Sequence, residues 1–291
     1  MDKGETIKLA STIGTPVPPT YFPERIDVDS IASEVSYPAL IRPRRSSGSR
    51  GIRRVDSPDE LRSEYPSIAS EYGTPIIQEF IEKTGYTTAC VLLDDNQNEI
   101  ASFSYERVKE YPLSGGPTVV GVSTDDARAK QFAIDLLEEA GWKGPAEVEF
   151  IIDEDGRPRL LEVNPRFWMP VHLAVVSGVD FPYLVAELAQ NNPVNRHERY
   201  DTGVTYRWVL PNEILRLIDS GDRVPDFVDM VRFWDGTVCY GVLSATDPSP
   251  VVGTAVQSVQ FLLDRDKRDA VLNRDTSGGT AEAARAPSRK Q

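Results

Sequence analysis

The chain is poor in the residues that build metal cages, disulfide frameworks and nucleophilic triads. It has two cysteines, Cys90 and Cys239, and two histidines, His172 and His197, in 291 residues. The cysteines lie far apart in apolar, strand-like runs, which reads as buried free thiols of a reducing cytoplasm and not as a disulfide pair or a metal site. Two histidines leave little material for a His-rich metal centre or for several His-dependent triads. No apolar run approaches the ~20 residues that span a bilayer, and the N-terminal MDKGETIKLAS has no apolar core of the kind a secretory signal carries. Positive charge is also in deficit: 32 Lys and Arg stand against 45 Asp and Glu, a net charge of −13. Binding to a phosphate backbone needs a basic patch, so neither nucleic acid nor a membrane is expected as a partner.

What is present is a mixed α/β pattern. Asp2 to Ile13 carries apolar residues at helical spacing and ends at Gly14, and TPVPPTYFP then extends the chain. YPALIRP reads as a short strand closed by proline, and RRSSGSRGIRRV as a Gly/Ser/Arg loop entering a second strand. Ser57, Pro58 and Glu60 form a capping-box helix start, with Pro66 expected to interrupt the helix. TPIIQEFI is a strand, and TTACVLLDDNQNEIASFSYERV a hairpin of two strands around a polar turn. PLSGGPTVVGVST is a Gly-rich loop and strand, and DDARAKQFAIDLLEEAGW an amphipathic helix with acid at its start. PVHLAVVSGVDFPYLVAELAQ predicts one or two helices divided near Gly178. Beyond Pro193 a helix is expected near PNEILRLIDSG and strands near TVCYGVLSA and VQSVQFLL. A small, polar tail at 266–291 reads as disordered.

The densest chemistry is in AEVEFIIDEDGRPRLLEVNPRFW, residues 146–168, which predicts a hairpin turning at Asp155–Gly156. A two-residue loop there pairs Val148 with Val163 and Phe150 with Leu161 on one face. It pairs Glu149 with Glu162 and Glu147 with Asn164 on the other. Opposed carboxylates repel, and a cation between them reverses the sign. Two carboxylates and an amide oxygen are hard ligands of the kind Mg²⁺ takes when it shares its remaining positions with phosphates and water. A solvated acidic face on an already acidic protein is the alternative.

These motifs, in this order, resemble the ATP-grasp ligases: EVEF…DEDGRPRLLEVNPRFW at the metal-binding end, YPALIRPRRSSGSRGI as strand, basic residue and phosphate loop, IIQEFI as the hinge strand, and YERVKEYPLSGGP as an Arg-bearing substrate segment. The resemblance covers Asp2 to about Gln190. It implies an α/β (α+β) ATP-grasp fold of two subdomains whose mainly antiparallel sheets sandwich the nucleotide. The implied division is a small lid subdomain over 1–80, a large subdomain with the metal site over 81–192, and its C-terminal part over 193–265.

The resemblance also implies roles. Lys3 and Arg42 would contact the ATP phosphates, and Ser46, Ser47, Gly48, Ser49 and Gly51 would cover them with backbone N–H groups. Glu79 and the backbone of Phe80 and Ile81 would bind the adenine edge. Glu149, Glu162 and Asn164 would hold Mg²⁺ (or Mn²⁺), Arg166 would stabilise the acyl phosphate and tetrahedral intermediate, and Arg107 would bind substrate or phosphate. Many relatives place Glu before an aromatic–Thr pair to hold the ribose; here Gly85 stands there, and Glu82 is the candidate substitute. The family usually has a preceding Rossmann-like domain of roughly one hundred residues, which this sequence lacks, so the chain reads as a fragment, a split-gene subunit or a decayed copy, with a partner chain as one candidate source of that domain. The implied activity is an ATP- and Mg²⁺-dependent ligase joining a small-molecule carboxylate to an amine. The alternative is a nucleotide-binding fragment or subunit that is inactive without that partner.

The acid excess further suggests a halophilic source, because salt screens the mutual repulsion of surface carboxylates. Thermal stability is expected to fall as molar salt is removed; melting curves across a salt series check it, and indifference to salt would refute it.

Overall fold

The computed structural model describes residues 2–46, 50–113, 115–197, 199–221, 223–231, 238–243 and 246–263. The chain divides into two compact units, Met1–Gly241 and Val242–Gln291. In the first, α1 (Lys3–Thr12) begins where the Asp2 carboxylate accepts the Glu5 amide. Next come β1 (Thr20–Tyr21), α2 (Val28–Glu34), β2 (Ala39–Arg42), β3 (Arg53–Val55), α3 (Pro58–Tyr72) and β4 (Ile76–Glu79). The longer strands β5 (Lys83–Leu93), β6 (Glu99–Glu110) and β7 (Thr118–Thr124) lead to α4 (Ala127–Glu139) and the hairpin β8 (Gly144–Asp153) and β9 (Pro158–Asn164). Then follow α5 (Val171–Val176), α6 (Phe181–Ala189), β10 (Thr205–Arg207), an irregular helical turn at Val209–Glu213, α7 (Ile214–Asp219), α8 (Arg223–Val231) and β11 (Val238–Tyr240). The second unit contains α9 (Ser249–Leu263).

Two sheets organise the first unit. A four-stranded antiparallel sheet has the order β1-β4-β2-β3, and a seven-stranded sheet the order β11-β10-β7-β6-β5-β8-β9, antiparallel except for the β10–β11 pair. The small sheet packs on α2 and α3 through Ile31, Ile41, Val55, Leu61 and Ile77. One face of the large sheet is closed by Ala10 of α1 and Ala133 and Leu137 of α4 against Val91, Val148, Phe150 and Val163. The other packs Cys90, Leu92, Phe103 and Tyr105 against Trp168, Leu173 and Phe181 at one end. Among the described residues no helix is long and apolar enough to cross a membrane.

The hairpin departs from its expected register in two places that cancel. The loop has three residues: the Asp153 amide bonds the Arg157 carbonyl at 3.1 Å, and Gly156 takes φ +72°, which a residue without Cβ adopts freely. A bulge then sets Phe150 opposite Leu160, not Leu161, before Glu149 meets Glu162, Val148 meets Val163 and Glu147 meets Asn164. The bulge has partners: the Leu160 amide donates to the Pro16 carbonyl at 2.8 Å, and the Leu161 carbonyl accepts from Arg42 at 3.3 Å.

Two other expectations are corrected. Helix α3 runs through Pro66, because Leu61 before it and Ile68 after it are both buried and hold the two halves to one core. VQSVQFLL is helical, not a strand. It ends α9, whose start is marked by Asp247 accepting the Ser249 amide at 3.0 Å, and the apolar residues of the sequence at 252, 256, 259 and 263 recur at the three-to-four spacing of a helix. Strand β10 carries no clear signal in the sequence. It holds Arg207, 1% exposed, which bonds Glu213 and reaches Asp229 at 3.1 Å. Lys109 of β6 bonds Asp229 at 2.6 Å and Asp226 at 3.0 Å, and Asp226 also takes Arg216 at 2.8 Å and Ser220 at 2.6 Å. This charge network ties α7 and α8 to the large sheet.

Pro66 is exposed and denies α3 one backbone hydrogen bond, so Pro66→Ala should raise stability by about 1–3 kcal/mol in urea melts. Burial works to raise the Asp226 pKa, but its bonds to Ser220, Lys109 and Arg216 prevail and depress it to about 2. A carboxylate depressed on folding contributes stability above its unfolded pKa and loses it as pH falls through the folded value. The stability difference between the native chain and Asp226→Asn should therefore shrink between about pH 4 and pH 2, measured by melting temperature; a difference flat across that window would refute it.

Candidate functional site

The acidic side chains of the hairpin come to one face because pleated strands alternate and neighbours in register share a side. Tyr105, Thr88, Glu149 and Glu162 form one cross-strand row over β6, β5, β8 and β9. Phe103, Cys90, Glu147 and Asn164 form the next. Arg107 lies two residues beyond Tyr105 on the same side of β6.

Each acid is answered by a cation or a donor. Glu149 takes the Arg107 guanidinium on one oxygen and the Asn164 amide nitrogen on the other at 2.9 Å. Glu162 accepts Lys3 at 3.2 Å. Glu147, 5% exposed, accepts from the Tyr105 hydroxyl at 2.8 Å and from Asn164 at 3.1 Å. Burial and the neighbouring Glu149 raise the pKa of its carboxyl. Burial disfavours charge on Arg107, but Glu149, Tyr105 and Glu110 outweigh it, and its pKa is raised. Arg107 also reaches Glu110 at 3.3 Å and lies 4.4 Å over the Tyr86 ring. Arg166 donates to the Asn164 amide oxygen at 3.3 Å and to the Phe167 carbonyl at 2.8 Å.

The small sheet and α1 bring further cations. Arg42, 3% exposed, bonds the Gln78 side chain and the Leu161 carbonyl, while its Nε has no hydrogen-bond partner. Lys3 bonds the Ser46 carbonyl at 2.6 Å, so the residue opening α1 links the basic loop to Glu162. Ser47, Gly48 and Ser49 lie outside the described residues. Gly51 takes φ +72°, and a Cβ there would stand 2.7 Å from the Tyr72 ring and 2.8 Å from Pro43. Glu79 points its carboxylate at the Ser36 amide, 3.1 Å, and the Tyr21 hydroxyl, 3.4 Å. Phe80 stacks under Arg54 at 4.7 Å, and its amide bonds the Pro38 carbonyl. Ile81 is partly exposed and Glu82 is exposed.

Among the described residues no group of three or more His, Cys, Asp and Glu is set to hold a metal by itself. Glu149, Glu162 and the Asn164 oxygen nonetheless form a hard-oxygen donor set, and the unpartnered Thr88 hydroxyl lies in the same row. That chemistry fits Mg²⁺ shared with phosphates better than an ion caged by protein alone. Sequence reasoning missed Tyr105, Thr88 and Tyr86 around this centre. Tyr105 was findable, since it precedes Arg107 by one strand period; Thr88 and Tyr86 carry no local signal.

A family model described as the ATP-grasp domain matches residues 1–170. D-alanine–D-alanine ligase B of Chromobacterium violaceum is 26% identical over 183 residues, 60% of this chain and 60% of the ligase. Among solved structures, the biotin carboxylase of Campylobacter jejuni in its β-γ-ATP complex gives a TM-score of 0.60 at 20% identity, covering 70% of this chain and 49% of that one. The biotin carboxylase domain of the Hydrogenobacter thermophilus 2-oxoglutarate carboxylase, solved with MgADP and bicarbonate, gives 0.59 at 20% identity, covering 70% and 48%. This chain thus spans 60% of that ligase's length and about half of each of those carboxylase chains. The fold, the ordered motifs and the family match agree, and the chain belongs to the ATP-grasp family.

Proposed function

We propose that the chain binds MgATP between its two sheets and joins a carboxylate to an amine through an acyl phosphate. The observation that carries this reading is the meeting of cations and opposed acids: Lys3 pairs with Glu162 and Arg107 with Glu149, while Arg42 bonds the adjacent Leu161 carbonyl and Arg166 the Asn164 amide oxygen. A triphosphate needs such cations, and a divalent ion needs such acids. Residues 1–80 act as the lid and 81–192 carry the acids.

A carboxylate oxygen attacks the γ-phosphorus, the bond to the bridging oxygen breaks, and ADP leaves. The amine then attacks the acyl carbon, inorganic phosphate departs, and the amine proton passes to solvent. Lys3 and Arg42 neutralise the phosphates; Arg107 and Arg166 offset charge on the transferring group and on the oxyanion. Glu149, Glu162 and the Asn164 oxygen would hold Mg²⁺, which would supply positive charge to the phosphates. Manganese would meet the same donors. No protein nucleophile is required, in keeping with two cysteines that are both buried. Adenine lies along the backbone of Glu79, Phe80 and Ile81, and Glu82 meets the ribose. Because the Glu79 carboxylate is engaged by Ser36 and Tyr21, the adenine contact is assigned to main chain.

A second reading is nucleotide binding that requires further polypeptide for the chemistry. It is favoured by the chain's spanning only 60% of the D-alanine ligase and about half of the solved carboxylase chains.

Mg²⁺ alone should leave the melting temperature unchanged, because Arg107 and Lys3 already neutralise the acids. MgADP at a hundred times its Kd should stabilise by about 2.7 kcal/mol. Absence of any MgADP shift would refute both readings. ADP release should require an acid and an amine together, with bicarbonate among the acids tried. Arg166→Ala should lower the rate by about 10²–10³, and Glu162→Ala should abolish turnover; release indifferent to either substrate would remove the ligase reading and leave the second.

A further inference from the structure

Glu147 is a buried carboxyl group that the proposed chemistry does not use. Among the described residues it has no ion pair; its partners are the Tyr105 hydroxyl and the Asn164 amide nitrogen. A carboxyl withdrawn from water without a cation is costly, and the core would fill more cheaply with an apolar side chain. What an apolar residue lacks is a pair of acceptor oxygens. One oxygen of Glu147 takes the Tyr105 hydroxyl, and the other takes one N–H of Asn164. The second N–H of Asn164 goes to Glu149 at 2.9 Å.

An amide has two donor hydrogens on nitrogen and two acceptor lone pairs on oxygen. With both donors committed to carboxylates, the amide oxygen must face the other way, where Arg166 meets it at 3.3 Å. A flipped Asn164 would set its oxygen against one oxygen of Glu149 and one of Glu147, in place of two N–H bonds, and turn its nitrogen toward any bound cation. Glu149 opposes the flip through one N–H while its other oxygen belongs to Arg107, and Glu147 supplies the second acceptor. The Tyr105 hydroxyl, anchored in a buried strand, holds Glu147 in place from behind.

We propose that Glu147, held by Tyr105, is a positioning residue that locks the Asn164 amide with its oxygen toward the cation and phosphates. This inference rests on the MgATP-binding reading above. Residues that orient a metal ligand in this way are commonly worth ten- to a hundredfold in metal affinity, though they touch no metal.

The experiment measures ADP affinity by calorimetry with and without Mg²⁺, the readout being the gain that Mg²⁺ confers. Glu147→Met removes the acceptors and keeps an apolar fill. It should leave metal-free ADP affinity within about twofold while reducing the Mg²⁺ gain about tenfold or more. Asn164→Asp alone sets a third carboxylate against Glu147 and Glu149 and should lose the gain. In the double variant Glu147→Gln with Asn164→Asp, donor and acceptor exchange sides. The new amide on β8 can donate to the new carboxylate on β9, and most of the gain should return. A full Mg²⁺ gain in Glu147→Met overturns the proposal, as does a double variant no better than Asn164→Asp. Preserved metal-free ADP binding certifies that a variant has folded. If the unaltered chain binds ADP with no Mg²⁺ gain, the parent reading of the metal site falls, and this proposal with it.

Discussion

Two glutamates facing each other across a strand pair set the constraint that the rest of this structure answers. Glu149 and Glu162 are direct partners in the β8–β9 ladder, an arrangement that repels on its own. The fold does not dissipate the repulsion into solvent. It brings Arg107 from β6 to one acid and Lys3 from the start of α1 to the other. Arg42 comes within reach from the small sheet through the Leu161 carbonyl. The site is therefore internally compensated, with its own cations set against its own acids.

The β9 bulge makes that arrangement possible. It turns the Leu161 carbonyl to Arg42 while the Leu160 amide is tied to Pro16, so one irregularity joins the hairpin both to the small sheet and to the chain that follows α1. It also restores the pairing of Glu149 with Glu162 after the three-residue loop has shifted it by one. A regular strand after the same loop would move the side chains of β9 beyond Leu160 to the opposite face. Bulge and loop length thus act together, and the acids meet only because both are present.

The periphery follows a different logic. Arg207, Glu213, Asp229, Lys109 and Asp226 place charge inside the junction of α7, α8 and the large sheet, while Leu215, Ile218, Val224 and Phe227 stand exposed. Ion pairs of this kind specify geometry more than they add stability, since desolvation offsets much of their attraction. They hold the C-terminal part of the first unit beside β6, the strand that carries Arg107.

Much of the centre was legible in the chain itself. The strand period puts Glu147 with Glu149 on one side of β8 and Glu162 with Asn164 on one side of β9, while loop and bulge decide that the two pairs share a face, and helix starts at Asp2, Ser57 and Asp126 follow from short side chains that accept backbone amides. These are local rules, acting within a few residues. What lay beyond them depended on contacts between distant segments: the path of α3 through Pro66 set by buried flanking residues, the turning of Glu79 to Ser36, the arrival of Lys3 at Glu162, and the capture of Asn164 between two carboxylates. Pairing energies of that sort arise only when packing removes water and fixes separations of about 3 Å, and no local spacing in a sequence encodes such a separation.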